Sequence, residues 1–169
     1  MSDPTTPVSP DAPGSSVSSP VSSDVSSDAA ADPSTEALQT ALAAEHAAVF
    51  VYAALGGQTS RSTSPTLYAR VTEAYVVHRA RRDRLVAMLT QAGAEPVPAE
   101  AGYALPADLG TTRAVTARAR ALEEGAASTY AFLVASTTGD RRAWAVQALL
   151  DAAVRVLDFG GRPARLPGI

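Results

Sequence analysis

An all-α fold, an antiparallel four-helix bundle with one long crossover, is what this sequence predicts, and three observations predict it. Four segments carry apolar residues at helical spacing, and no alternating strand pattern competes with them. Each segment ends at Gly, and the first, second and fourth open on Ser, Asp or Pro. The connections run short, long, short, which joins two hairpins by one long link.

Before the first helix, residues 1–33 are almost entirely Ser, Pro, Asp, Val, Thr and Ala. Such a stretch has no large apolar side chain to offset the entropy of ordering it, so it reads as a disordered acidic tail. Residues 34–169 are then the bundle domain. The first helix opens near Asp32-Pro33-Ser34, where either Asp32 or Ser34 fits a cap and Pro33 a first turn, and it stops at Gly56-Gly57. The second has Ser64 as cap, Pro65 at its first position, and an end near Ala92 before Gly93. The third covers about 111–138 and stops at Gly139; the fourth follows with Asp140 as cap and reaches Phe159 before Gly160-Gly161. Between the second and third lie about twenty residues that include Pro96, Pro98 and Pro106, long enough to run the length of a bundle. Two hairpins and one such crossover is the connectivity of ferritin-like bundles.

Composition narrows the function classes. The 169 residues carry a net charge of −3, and since residues 1–35 hold five Asp and no base, the remainder is near +2. Neither value suggests a nucleic-acid surface. There is no Cys, which excludes disulfides, thiolate metal sites and cysteine nucleophiles. No run approaches 18 consecutive apolar residues, and MSDPTTPVSP has neither the basic start nor the apolar stretch of a secretory signal. The expectation is a cytoplasmic protein without a membrane or nucleic-acid partner. An unknown protein or small molecule, or a second copy in a homodimer, is then the partner.

Steps of about 100° place the charges. Leu38, Leu42, Glu45, Val49 and Tyr52 share one line on the first helix, with Glu45 central and His46 at the edge beside Gln39 and Phe50. Leu67, Val71, Ala74, His78, Leu85 and Leu89 do so on the second, flanked by Arg81 and Arg82. Arg79 and Asp83 point outward at pairing distance. Counted from the Gly-rich turn, Glu45 and His78 lie within about 3 Å in height, so they should meet in one layer. A buried carboxylate needs such a partner. On the third helix the stripe is Val115, Ala119, Leu122, Ala126 and Leu133, with Glu123 and Tyr130 on its flank and Glu124 in solvent. On the fourth it is Val146, Leu150, Ala153, Val154 and Leu157, with Asp151, Gln147 and Asp158 at the boundary.

The segments LQTALAAEHAAVFVYAALGG, HRARRDRL, ALEEGAASTYAFLVAS, DAAVRVLDF and the closing LPGI resemble the DUF4439 family, ferritin-like bacterial domains of unknown function. The resemblance covers about residues 36–169 and implies a ferritin-like fold, but no established activity. A ferritin-like di-iron site needs Glu-x-x-His on two helices, and this chain has none: Ala48 follows Glu45 at that spacing, and Val76 follows Glu73. The preferred reading is a non-catalytic binding or interaction module without a cofactor. In it Glu45 and His78 form a core polar pair supported by Tyr52, Arg81 and Arg82. The alternative is a metal-binding protein or metal-dependent oxidoreductase holding Fe, Mn or Zn through Glu45, His78 and Glu123 or Asp151.

Overall fold

The computed structural model describes residues 32–106 and 108–169, so nearly all of the predicted tail lies outside the described residues. Four helices follow in order: α1 (Pro33–Gly57), α2 (Pro65–Gln91), α3 (Thr112–Ser136) and α4 (Gly139–Asp158). Among the described residues there is no strand. The starts of α1 and α3 follow from side-chain caps. Asp32 accepts from the Ser34 amide with Pro33 in the first turn, and the Thr111 hydroxyl accepts from the Ala114 amide at 3.1 Å. At α4 the expectation fails: Asp140 lies inside the first turn rather than at the cap, because Gly139 takes φ 56° and turns the chain directly after Thr138.

Two apolar clusters fix the helix directions. One joins Leu38 and Leu42 of α1 to Leu85 and Leu89 of α2, Leu133 of α3, and Ala145 and Ala148 of α4. The other joins Val51 and Leu55 to Val71, Val115, Ala119 and Phe159. Hence α1 and α4 run one way, α2 and α3 the other, and the crossover must return along the bundle.

The outer edge of α1 guides that return. The Gln39 side chain donates to Glu95 O at 2.6 Å and accepts from the Val97 amide at 2.8 Å. His46 bonds Val97 O at 3.2 Å, and Phe50 meets the Tyr103 ring at 5.5 Å. Gln39, His46 and Phe50, the edge residues of the periodicity reading, are thus the track of the crossover. α1 also has a mean hydropathy of 1.3 over 18 residues, long and apolar enough to cross a membrane by composition alone. That value reflects its alanines and its Leu, Val and Phe; in the bundle the buried ones among them pack against α2 and α3, while Phe50 meets the crossover.

The largest departure from expectation is α4. The predicted stripe of Val146, Leu150, Ala153, Val154 and Leu157 is not its buried face; Ala145, Ala148, Ala152, Arg155 and Val156 are. The helix is turned about half a revolution from the predicted setting. Its small inward residues sit close against α3, and Arg155 reaches towards α2. On α3 the buried line is Val115, Ala119, Glu123, Ala127, Tyr130 and Leu133, so Glu123 and Tyr130 move from flank to centre while Leu122 and Ala126 become partly buried. Trp144 packs edge-on against Tyr130 at 5.6 Å, and Phe159 is buried, so neither is an exposed aromatic.

Candidate functional site

Between the two apolar clusters lies a layer of charge. Glu45 of α1, His78 of α2 and Glu123 of α3 are each 0–2% exposed. His78 donates from Nδ1 to Glu45 Oε2 at 2.6 Å and from Nε2 to Glu123 Oε1 at 3.2 Å. The expected pair is therefore a triad with the imidazole in the middle. Each carboxylate also takes a phenol: Tyr130 donates to Glu45 Oε1 at 2.5 Å and Tyr52 to Glu123 Oε1 at 2.6 Å. Tyr52 stacks on the His78 ring with centroids 5.1 Å apart. Each tyrosine belongs to one apolar cluster and extends its hydroxyl into the charged layer, which suits an amphipathic ring.

Protonation follows from these contacts. Burial pulls the His78 pKa down, but the hydrogen bonds and charges of Glu123 and Glu45 outweigh it and raise it from 6.5 to about 9. His78 is thus an imidazolium near neutrality, donating from both nitrogens. Burial first, then the neighbouring carboxylates, push both phenols upward: Tyr52 beside Glu123 and Tyr130 beside Glu45 stay neutral donors. Two further cations close the layer. Arg81 and Arg155 are buried, at 6% and 7% exposure. Arg81 donates to Ala148 O at 3.0 Å and Asp151 Oδ2 at 2.6 Å, and its guanidinium lies 5.1 Å from the Tyr130 ring centre. Arg155 donates to the same Asp151 oxygen at 3.1 Å and to Glu73 at 3.2 Å, joining α4 to α2. Glu123 Oε2 and Arg81 Nη1 are buried without a hydrogen-bond partner among the described residues.

The sequence-predicted residues separate clearly. Glu45, His78 and Glu123 come together. Asp151 does not join them as a fourth acid: it is partly exposed at the rim and held by Arg81 and Arg155. Tyr52 supports Glu123 rather than the Glu45 side of the pair. Arg82 turns outward to Asp83 at 2.7 Å and supports nothing in the core. The expected Arg79–Asp83 contact gives way to Arg79 over the Tyr75 ring. Sequence reasoning left Tyr130 on a flank and gave Arg155 no role. Tyr130 stands seven residues after Glu123, and Arg155 four after Asp151, spacings that carry both signals.

A cleft of about 220 Å³ between α1 and α3 opens onto this layer. Its walls are small or apolar, with Ala44, Ala47 and Ala48 facing Ala121, Gly125 and Ala126, and Glu45, His78 and Tyr130 line its inner part.

A family model for a domain of unknown function, DUF4439, matches residues 37–169. This chain belongs to the DUF4439 family. Among solved structures, it resembles that of a conserved hypothetical protein, rv2844, from Mycobacterium tuberculosis, with 29% identity and a TM-score of 0.69 over 76% of this chain and 88% of that one. No curated protein matches it. The DUF4439 match takes in all five charged core residues and both phenols, as well as the whole of α4.

Proposed function

We propose that this DUF4439 chain is a non-catalytic binding module on a ferritin-like bundle, with the Glu45–His78–Glu123 network as a structural element. One observation supports this most directly: both nitrogens of His78 face carboxylates, and an imidazolium has no lone pair for a metal. The residues do not fit the two-metal set of ferritin-like proteins. Tyr75 stands three positions before His78, and α4 brings Arg155 to the layer where a metal-binding helix would bring an acid. The imidazolium of His78 supplies the positive charge that Glu45 and Glu123 require, and the guanidinium groups hold Asp151 and Glu73. Glu45 and Glu123 meet different nitrogens of His78, on opposite sides of its ring, so the three side chains do not converge on one point. The α1–α3 cleft is the binding place, suited by its walls to a small apolar molecule that meets Tyr130 at its inner end.

The test is metal analysis of the full chain purified without an affinity tag, repeated on Glu45→Gln, with benzene titrated into the labelled protein. The expected results are no stoichiometric metal and resonance shifts at Ala48 and Ala126. Stoichiometric Fe, Mn or Zn that Glu45→Gln loses would overturn the reading in favour of a metal protein. Shifts absent from the cleft would overturn the binding place.

A further inference from the structure

Every side-chain donor that lines the α1–α3 cleft is already engaged. His78 gives both N–H groups to carboxylates, and the Tyr130 hydroxyl goes to Glu45 Oε1. The Thr129 hydroxyl, on the same wall as Tyr130, goes to Gly125 O at 3.0 Å. What the cleft still offers is acceptor capacity. The two hydroxyl oxygens keep their lone pairs, and each oxygen of Glu45 takes one proton and has room for another. A wholly apolar ligand leaves these oxygens unused, whereas a ligand with several donors meets them.

Charge points the same way. In the layer Glu45, Glu123, Asp151 and Glu73 meet His78, Arg81 and Arg155, four acids against three bases. Arg81 and Arg155 are turned to Asp151 and Glu73, on α4 and α2, so on the α1–α3 side one imidazolium stands against two carboxylates. Of that triad Glu45 alone keeps any exposure, 3% of its side chain, against 0% for His78 and Glu123. The group that the cleft reaches is thus a carboxylate in an environment with an excess of negative charge.

We propose that the cleft takes a small primary ammonium with an apolar tail, its nitrogen on Glu45 and its tail between the alanine walls. The proposal rests on the reading of the cleft as the binding place and gives that place a ligand class. An ammonium carries three donors and no acceptor, and Glu45, Tyr130 and Thr129 present oxygens to it. A carboxylate or phosphate finds no free donor on these walls. Size agrees as well: the cleft holds about 220 Å³, against the roughly 150 Å³ that takes benzene in an engineered core cavity. That difference leaves room for an aminomethyl group beyond a ring.

Titrating the labelled full chain at neutral pH with benzylammonium, benzene and benzoate tests it, since the three share a ring and differ in charge. The expected result is resonance shifts at Ala48 and Ala126 with benzylammonium, at least about tenfold tighter than with benzene, and none with benzoate. Gly125→Leu sets a large side chain on the cleft wall, at a position where a Cβ meets nothing within 4 Å, and improves helix propensity. It should weaken both ligands at least about tenfold; far-ultraviolet dichroism checks that the variant folds. Benzene shifts with benzylammonium no tighter would overturn this inference and leave the binding place standing. Silence from both ligands would overturn the two together. Benzylammonium binding that is indifferent to Gly125→Leu would put the amine elsewhere on the surface and overturn the inference alone.

Discussion

The centre of the bundle and the outer face of α4 are arranged oppositely. At the centre, two carboxylates, an imidazolium and two guanidiniums sit where a helical bundle ordinarily places Leu and Val. On α4, Leu150, Val154 and Leu157 face outward, while alanines and Arg155 face in. The two are coupled. For the buried Arg81 of α2 to reach Ala148 O and Asp151, and for Arg155 to reach Glu73 of α2, α4 must present its polar side and small residues inward, and its large apolar side is left outside. The difference teaches that the inward face of a helix is not always the one with the highest apolar content, once buried charges on its neighbours need partners.

If the comparison holds, cutting the centre is the most damaging change. Glu45→Ala leaves the Nδ1 of His78 and the Tyr130 hydroxyl unpaired in the core and is expected to destabilise by about 3–5 kcal/mol, as is His78→Ala, which leaves two carboxylates facing each other. Urea unfolding followed by dichroism measures it; a loss below about 1 kcal/mol would mean the layer is not a closed ionic network.

The centre also predicts a pH dependence. The folded pKa of His78, about 9, lies above its unfolded value of 6.5, so its contribution is fully present below pH 6.5 and lost as pH rises through 9. Stability should fall by about 1–3 kcal/mol between pH 6.5 and 9.5, and His78→Gln should flatten that slope. Unfolding midpoints across this range decide it, and a wild-type profile as flat as the variant's would show that His78 is not charged in the fold.

Removing one phenol is a smaller cut. Tyr130→Phe and Tyr52→Phe each delete a hydrogen bond to a buried carboxylate and should cost about 1–3 kcal/mol. Differential scanning calorimetry of the two variants measures it. Equal values would indicate that the two carboxylates are equivalent; a larger loss for Tyr52→Phe is expected, because Glu123 Oε2 has no partner and Oε1 would keep His78 alone among hydrogen-bonding side chains.

The smallest effect is expected on the other side of the comparison. Leu150→Ala, at a half-exposed position, should change stability by less than about 0.5 kcal/mol. The same truncation at Leu133, which is fully buried, should cost about 2–5 kcal/mol. A comparable loss at Leu150 would restore the setting of α4 that its periodicity suggests.

The sequence by itself determined the elements and their order. Gly56-Gly57, Pro65, Gly93 and Gly139 mark the helix boundaries because they act on the local backbone, and the connection lengths leave little choice of topology. It also determined that Glu45 and His78 would meet, since each lies at the centre of a strong apolar stripe and the hairpin sets their height. The rest was legible only where a stripe was strong. On α3, Leu122 and Ala126 compete with Glu123 and Ala127 one position away, and a helix wheel cannot choose between lines about 100° apart when both hold Ala. What only the tertiary structure decided is the rotation of α3 and α4. Burying a charge without a partner costs more than exposing three apolar side chains. The helices therefore turn to satisfy Glu123, Tyr130, Arg81 and Arg155 together, a condition set by groups on three different helices that no single stretch of sequence expresses.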